Sequence, residues 1–205
     1  MSARLILGDC LEVMKTFPDK SVDAVITDPP YGVTKLTWDC PVKQSWLNEM
    51  LRISTGAVLM INAARPDIQA HMLNLNPRCE RVIAWRQPRP RAGHGMFWTW
   101  QPIYCWRAGF RGWDTLNIPV DGKPYQHPTQ KPVALMNKLL EMTTKPNDII
   151  LDPFMGSGTT GMACVQSARD FIGIEINREY FAIAEQRITK AQAQGQCIGA
   201  NPCSN

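Results

Sequence analysis

The chain has 205 residues, 44% hydrophobic and 20% charged, and a net charge of +4, which suits one α/β domain with a substantial core rather than a disordered or fibrous protein. Its seven cysteines include no Cys-x-x-Cys pair and meet no clustered histidines, so neither a disulfide framework nor a metal site is expected. No apolar run approaches the ~18 residues that span a bilayer and the first residues lack a signal-peptide pattern, so the expected setting is the cytoplasm, away from any membrane.

In chain order, residues 4–8 read as a strand, followed by a short helix over 11–17 for which Asp9 can serve as N-cap, and the apolar run 22–27 reads as a buried parallel strand. That second strand ends in Asp28-Pro29-Pro30-Tyr31, and the carboxyl ends of such strands are where open α/β sheets form ligand crevices. An aspartate is an acceptor, and a proline supplies a carbonyl without an amide proton. Such a corner can grip an NH2 group. The exocyclic amine of a nucleobase is a poor nucleophile because its lone pair is delocalised into the ring. The Asp28 carboxylate and the Pro29 carbonyl can draw on its two protons and expose that lone pair, while Pro30 and Tyr31 shape the corner and Tyr31 offers a face for stacking. The plain alternative is a turn, since Asp-Pro-Pro is common turn chemistry.

Residues 32–39 form a loop near this corner. A helix over 44–53, a strand over 57–62, a helix over 67–75 and a strand over 81–86 follow, then an irregular stretch with a turn at Gly93-His94-Gly95, and a strand over 102–107. Residues 86–131 carry seven basic residues against two acidic ones, a local +5 that leaves the rest of the chain near neutrality. Arg89 and Arg91 interleave there with Trp98 and Trp100, a pattern suited to a phosphate backbone and unstacked bases. The competing reading of any one tryptophan is core packing, and of the arginines a solvated rim.

Pro132 suits the first turn of a helix reaching residue 142. Residues 149–160, Ile-Ile-Leu-Asp-Pro-Phe-Met-Gly-Ser-Gly-Thr-Thr, read as strand, glycine turn and helix entry, the helix running on through 161–167. Gly156 and Gly158 permit close backbone approach, and Ser157, Thr159 and Thr160 bring donors to a helix N-terminus. The next strand, 170–176, carries Glu175, close to the ~20-residue spacing at which an acid meets ribose hydroxyls in dinucleotide folds. A nucleoside-containing cofactor is therefore expected. A last helix covers 178–193; residues 1–195 are read as one domain with an insert at about 86–126, and 196–205 as a fraying tail.

The Asp28-Pro29-Pro30-Tyr31 corner, the Asp152-Pro153-Phe154-Met155-Gly156-Ser157-Gly158-Thr159-Thr160 turn and His127-Pro128-Thr129-Gln130-Lys131-Pro132 together resemble the amino-methyltransferases that modify adenine N6 or cytosine N4 in DNA with S-adenosyl-L-methionine. Leu5-Ile6-Leu7-Gly8-Asp9-Cys10 followed by Ser21-Val22-Asp23 is similar to the opening of these enzymes. The catalytic corner precedes the cofactor turn, the order called the β class. The resemblance implies a doubly wound, Rossmann-like α/β sheet of the methyltransferase type. It implies a methyl donor lying across Phe154 to Thr160, with its ribose on Glu175, its adenine edge near Asp9 and Cys10, and Lys131 and His127 at its methionine end or on phosphate. Asp152 is expected to order the turn through backbone amides.

Double-stranded DNA with a flipped base is the implied partner. Aspartate rather than serine at position 28 favours adenine by family habit; N4-cytosine methylation, RNA as substrate and a non-catalytic binding subunit are the alternatives. The insert is short for reading a target, which implies limited specificity, a second subunit such as a homodimer partner, or a short site.

Overall fold

The computed structural model describes residues 1–34, 39–93, 96–107, 109, 112–120 and 130–198, with the backbone alone described for 88–93, 96–98 and 195–198. In chain order the elements are β1 (Ala3–Leu7), α1 (Cys10–Lys15), β2 (Ala24–Thr27), α2 (Gln44–Ile53), β3 (Val58–Ile61), α3 (Pro66–Leu73), β4 (Arg81–Gly93), β5 (Met96–Trp106), β6 (Thr115–Asn117), α4 (Val133–Thr143), β7 (Ile149–Asp152), α5 (Thr159–Gln166), β8 (Asp170–Glu175) and α6 (Arg178–Ile198).

Eight strands form one sheet in the order β1-β8-β7-β2-β3-β5-β4-β6. β5 alone runs antiparallel to its neighbours. The central parallel strands are continuous apolar runs, buried throughout in β2 and β3, because helices cover both faces. Alternate residues divide between two cores. Ala24, Ile26, Leu59, Ile61 and Ile150 pack with α4, α5 and α6, while Val25, Val58, Met60 and Leu151 pack with α1, α2 and α3. In α2 the buried residues Trp46, Leu47, Met50 and Ile53 recur at helical spacing and form the face turned to the sheet.

Local chemistry sets the helix ends. Asp9 caps α1 by accepting the amides of Leu11 and Glu12 at 2.9 and 3.1 Å. Beyond its other end, Arg52 of α2 donates to the carbonyls of Met14 and Phe17, each at 2.9 Å. The Asp9 cap takes amides that a helix leaves unmade at its start, and Arg52 ties the chain leaving α1 to α2.

The chain winds in opposite directions from the middle of the sheet: β7 leads through α5 to β8 on one side, and β2 through α2 to β3 on the other. β2 and β7 are paired neighbours, Ala24 opposite Ile150 and Val25 opposite Leu151. Their carboxyl ends therefore lie side by side at the topological switch point, where such folds open a crevice.

The stretch expected to be irregular after residue 86 is instead a long antiparallel ribbon. β4 extends to Gly93 and pairs with β5, Arg86 opposite Trp100 and Gly93 opposite Met96. The register shifts between Arg86 and Arg91, where Pro88 and Pro90 stand. Prolines cannot donate to a ladder, so a bulge absorbs them and pairing resumes beyond. A three-residue edge strand, β6, pairs parallel with β4 and was not anticipated. β2 begins at Ala24 rather than Val22, which makes only a single bridge to Ser54, and α6 is helical to Ile198, past residue 195.

Candidate active site

The residues after β2 carry the first half of the site. The Asp28 carboxylate accepts from the Tyr31 hydroxyl on Oδ1 and from Lys131 Nζ on Oδ2 at 2.5 Å. Lys131 lies two residues before α4 and is only 7% exposed. Its ammonium also sits 5.4 Å from the centre of the Tyr31 ring, a cation–π distance. Acid, phenol and cation thus hold one another at the strand end.

The second half begins at Asp152, the last residue of β7. Its carboxylate accepts the hydroxyls of Thr27, at the end of β2, and of Thr160, in the first turn of α5, both at 2.6 Å, and the Phe154 amide at 3.1 Å. Burial pushes its pKa up to about 6 against those three hydrogen bonds. Asp152 therefore ties β2, β7 and α5 together, and the Thr160 hydroxyl is spent on that tie.

Beyond it the chain turns sharply, with Gly156 at φ +50° and Gly158 at φ +78°. The Gly156 amide donates to Glu175 Oε2 at 2.9 Å, and Glu175 Oε1 accepts the Asn177 amide at 2.8 Å. Burial raises the Glu175 pKa despite these bonds. Arg187 of α6 reaches back to the Ser157 carbonyl at 2.5 Å and its hydroxyl oxygen at 2.9 Å, while Ser157 donates to Gln130 at 3.0 Å. A side chain at Gly158 would place its Cβ 2.9 Å from the Cβ of Ala184 in α6. Glycine there lets α5 and α6 pack.

Both halves open into one cavity of about 330 Å³, within the range of small-molecule sites. Asp28, Pro29, Pro30 and Tyr31 line it, as do Asp9, Cys10, Lys131, Asp152, Phe154, Gly156, Ser157, Thr159, Thr160 and Glu175. Burial, reinforced by the charge of Asp9, pushes the Cys10 thiol up to about 12, which leaves it an uncharged wall. Trp46 and Phe154 add an aromatic corner, ring centres 4.7 Å apart.

Not every candidate residue meets there. Gly158 is not among the lining residues. His127 lies outside the described residues, as do the side chains of Arg89, Arg91 and Trp98. Trp100 is half-buried on the ribbon opposite Arg86, outside the cavity lining. Of the basic residues in 86–131, Lys131 pairs with Asp28, and Arg107 donates to the carbonyl and hydroxyl oxygens of Ser54. Trp106 is 1% exposed and donates its indole N–H to the Pro77 carbonyl at 2.7 Å; it is core.

Several residues that line or brace the cavity had escaped the sequence reading. Asn177 and Tyr180 line the cavity beside Glu175; Asn177 also caps α6 through the amides of Glu179 and Tyr180, a signal readable as an N-cap residue directly before a helix. Gln130 lies inside a motif already singled out. Arg187 gave no local signal, since its partner is 30 residues away in sequence.

The family model described as DNA methylase, N6_N4_Mtase, matches residues 95–186. The putative methylase YubD of Escherichia coli (strain K12) is 32% identical over 97% of this chain and 96% of its own length. The chain belongs to the DNA amino-methyltransferase family. Another family relative, the DNA adenine methyltransferase YhdJ of the same organism, is 28% identical over 91% of this chain and 83% of its own. Among solved structures, the M1.HpyAVI–SAM complex superposes with a TM-score of 0.68 at 30% identity, covering 90% of this chain and 99% of that one. The cytosine-N4-specific PvuII DNA methyltransferase gives 0.70 at 18% identity, covering 95% and 93%, a likeness of fold. The protein is accordingly a DNA methyltransferase of the N6/N4 kind, and its cofactor is S-adenosylmethionine.

The cavity fits that donor chemically: Glu175 and Asp9 offer carboxylate acceptors of the kind ribose hydroxyls need, and Thr159 opens α5 beside them. Among the described residues no helix is long and apolar enough to cross a membrane, and no cluster of His, Cys, Asp and Glu is placed to hold a metal ion.

Proposed function

We propose that the protein methylates the exocyclic N6 of adenine in double-stranded DNA, acting on a base flipped out of the helix. The observation that carries this reading is the junction of β2 and β7, where the Asp28-Pro29-Pro30-Tyr31 corner and the glycine turn open into one cavity. An aspartate rather than a serine at position 28, and the relative named as an adenine methyltransferase, favour adenine over cytosine. A target amine lies inside the duplex stack, which motivates flipping.

S-adenosylmethionine supplies, when bound, a sulfonium methyl that is already electrophilic, so the chain's task is alignment more than strong base catalysis. Glu175, Asp9 and Cys10 hold its nucleoside end, and the backbone of Phe154 to Ser157 with Thr159 holds the remainder. Asp28 and the Pro29 carbonyl would accept hydrogen bonds from the two N–H groups of the target amine and so turn its lone pair toward the methyl group, and the Asp28 carboxylate would take the one proton that the nitrogen gives up once it is methylated. A carboxylate has about four acceptor positions, so Asp28 can take this bond while keeping Tyr31 and Lys131. Lys131, first assigned to the methionine end of the cofactor or to phosphate, is better placed to hold the charge of Asp28 and the ring of Tyr31. Tyr31 offers the flipped base a stacking face.

The decisive experiment is to incubate the purified protein with S-adenosylmethionine and unmethylated duplex DNA, digest to nucleosides and analyse by mass spectrometry. N6-methyl-2′-deoxyadenosine is expected; N4-methyl-2′-deoxycytidine would replace the adenine assignment, and, with RNA in a parallel incubation, methylation of the RNA alone would replace the duplex.

A further inference from the structure

The loop that follows the catalytic corner is gathered by one side chain. Asp39 Oδ1 accepts the amides of Tyr31 and Gly32 at 2.8 and 2.7 Å, and Oδ2 those of Val33 and Thr34 at 2.9 and 2.6 Å. Four successive N–H groups thus converge on a single carboxylate. Burial opposes the charged form, but the Thr34 hydroxyl and the loop amides outweigh it and hold the Asp39 carboxyl below its usual range. The fold braces the same loop from another side: Gly32 has φ +70°, and a Cβ there would lie 2.7 Å from Cδ of Pro41.

We propose that Asp39 is a positioning residue for methyl transfer, acting through Tyr31 and the backbone that follows Asp28; this rests on the assignment of Asp28 and Tyr31 to the target amine. Two consequences come from the geometry. The first is that Tyr31 is held from both sides, its amide by Asp39 and its hydroxyl by Asp28, so the stacking face and the catalytic carboxylate are fixed relative to each other. The second concerns chemistry. Pro29 and Pro30 have no N–H, and those of residues 31–34 are all taken by Asp39. The backbone from 29 to 34 therefore offers an incoming base carbonyl acceptors and no free N–H. An amine, which only donates through its two protons, meets a matching surface, whereas a ring carbonyl at the same place finds no backbone donor.

The test compares Asp39→Asn and Asp39→Ala with the wild-type chain in two independent measurements. Amide hydrogen exchange over residues 31–34 is expected to be slow in the wild type and about tenfold or more faster in Asp39→Asn, because loss of one carboxylate oxygen releases local hydrogen bonds. Steady-state methylation of duplex DNA is expected to show kcat lowered about a hundredfold through misplacement of Tyr31 and Asp28, with KM for S-adenosylmethionine and its calorimetric affinity at wild-type values. Unchanged exchange would overturn the proposal, and so would unchanged kcat. If Asp39→Ala shows no cooperative thermal transition, Asp39→Asn, which keeps one acceptor oxygen, decides. Asp28→Ala run alongside separates the two ideas: if it retains turnover, the reading of the corner fails, while the exchange result still settles whether Asp39 holds the loop.

Discussion

The two ends of the sheet are built differently. From β1 to β3 the strands are parallel, and the charged groups at their carboxyl ends answer to several partners each: Asp152 to two threonines and an amide, Glu175 to two amides, Asp28 to a tyrosine and a lysine. From β5 to β6 the sheet becomes a ribbon of 13- and 11-residue strands with a proline-bearing register shift and an exposed Arg86. One end fixes chemistry by burying and satisfying polar groups; the other leaves Arg86 exposed, and we propose that it is the end that meets DNA. Position and charge are separable tasks here, and substitutions at the two ends are expected to fail in different ways.

The largest effect is expected at the closed end. Asp28→Ala should lower turnover about a thousandfold, as loss of a positioned catalytic group does, with calorimetric affinity for S-adenosylmethionine preserved because the partners of Asp28 are Tyr31 and Lys131 rather than the glycine turn. Turnover near the wild-type rate would remove Asp28 from the mechanism.

Next comes Gly158→Val. Its φ of +78° and the 2.9 Å approach to Ala184 make the variant less stable by about 3 kcal/mol, measured by denaturant unfolding. An equally stable variant that binds the cofactor poorly would instead return Gly158 to the ligand's side of the turn.

A smaller, pH-dependent effect is expected at Asp152. Burial lifts it from the ordinary 3.8 to about 6, so the folded chain binds its proton more tightly than the unfolded chain. Its contribution to stability is present below the unfolded value and is lost as pH rises to the folded one. Asp152→Asn has no such proton, so its stability relative to the wild type should rise by about 1–3 kcal/mol between about pH 4 and pH 7. A difference that does not change with pH, in urea titrations at both values, would show that the folded carboxyl keeps its ordinary pKa.

The ribbon gives the mildest change. Replacing Arg89 and Arg91 together by alanine is expected to weaken DNA binding and to flatten the slope of log affinity against log salt by up to about 2, without altering cofactor affinity. An unaltered slope would make these arginines a solvated rim and shift the DNA surface to the loop over 32–39.

Legibility follows the same division. Helix α2 appeared in the sequence with its observed limits, because Trp46, Leu47, Met50 and Ile53 mark one helical face. The strands leading to Asp28 and Asp152 were visible as apolar runs closed by turn residues. β4 was cut short because Pro88 and Pro90 signal a strand end, and only a partner strand reveals that a bulge can carry the ladder past them. Asp39 and Arg187 were missed for a related reason: a lone carboxylate in a loop and a lone arginine in a helix acquire meaning only when tertiary closure brings amides or a carbonyl to them. Lys131 was legible as a residue type suited to cofactor or phosphate, but its burial and its bond to Asp28, which the sequence does not display, appear only in the fold.

The pairing of β1 with β8 has a consequence in time. Ala3 lies opposite Phe171 and Leu7 opposite Glu175, and the Gly8 amide donates to the Glu175 carbonyl at 2.9 Å. During synthesis the first strand has no neighbour until residues 170–175 emerge, on the order of ten seconds later at ribosomal rates. Until then Asp9 and Cys10 stand apart from Glu175, and the part of the pocket proposed to hold the nucleoside does not exist. A nascent chain halted before β8 therefore carries the complete Asp28-Pro29-Pro30-Tyr31 segment but no assembled cofactor site, so the capacity to bind the methyl donor arrives with one of the last strands to be made.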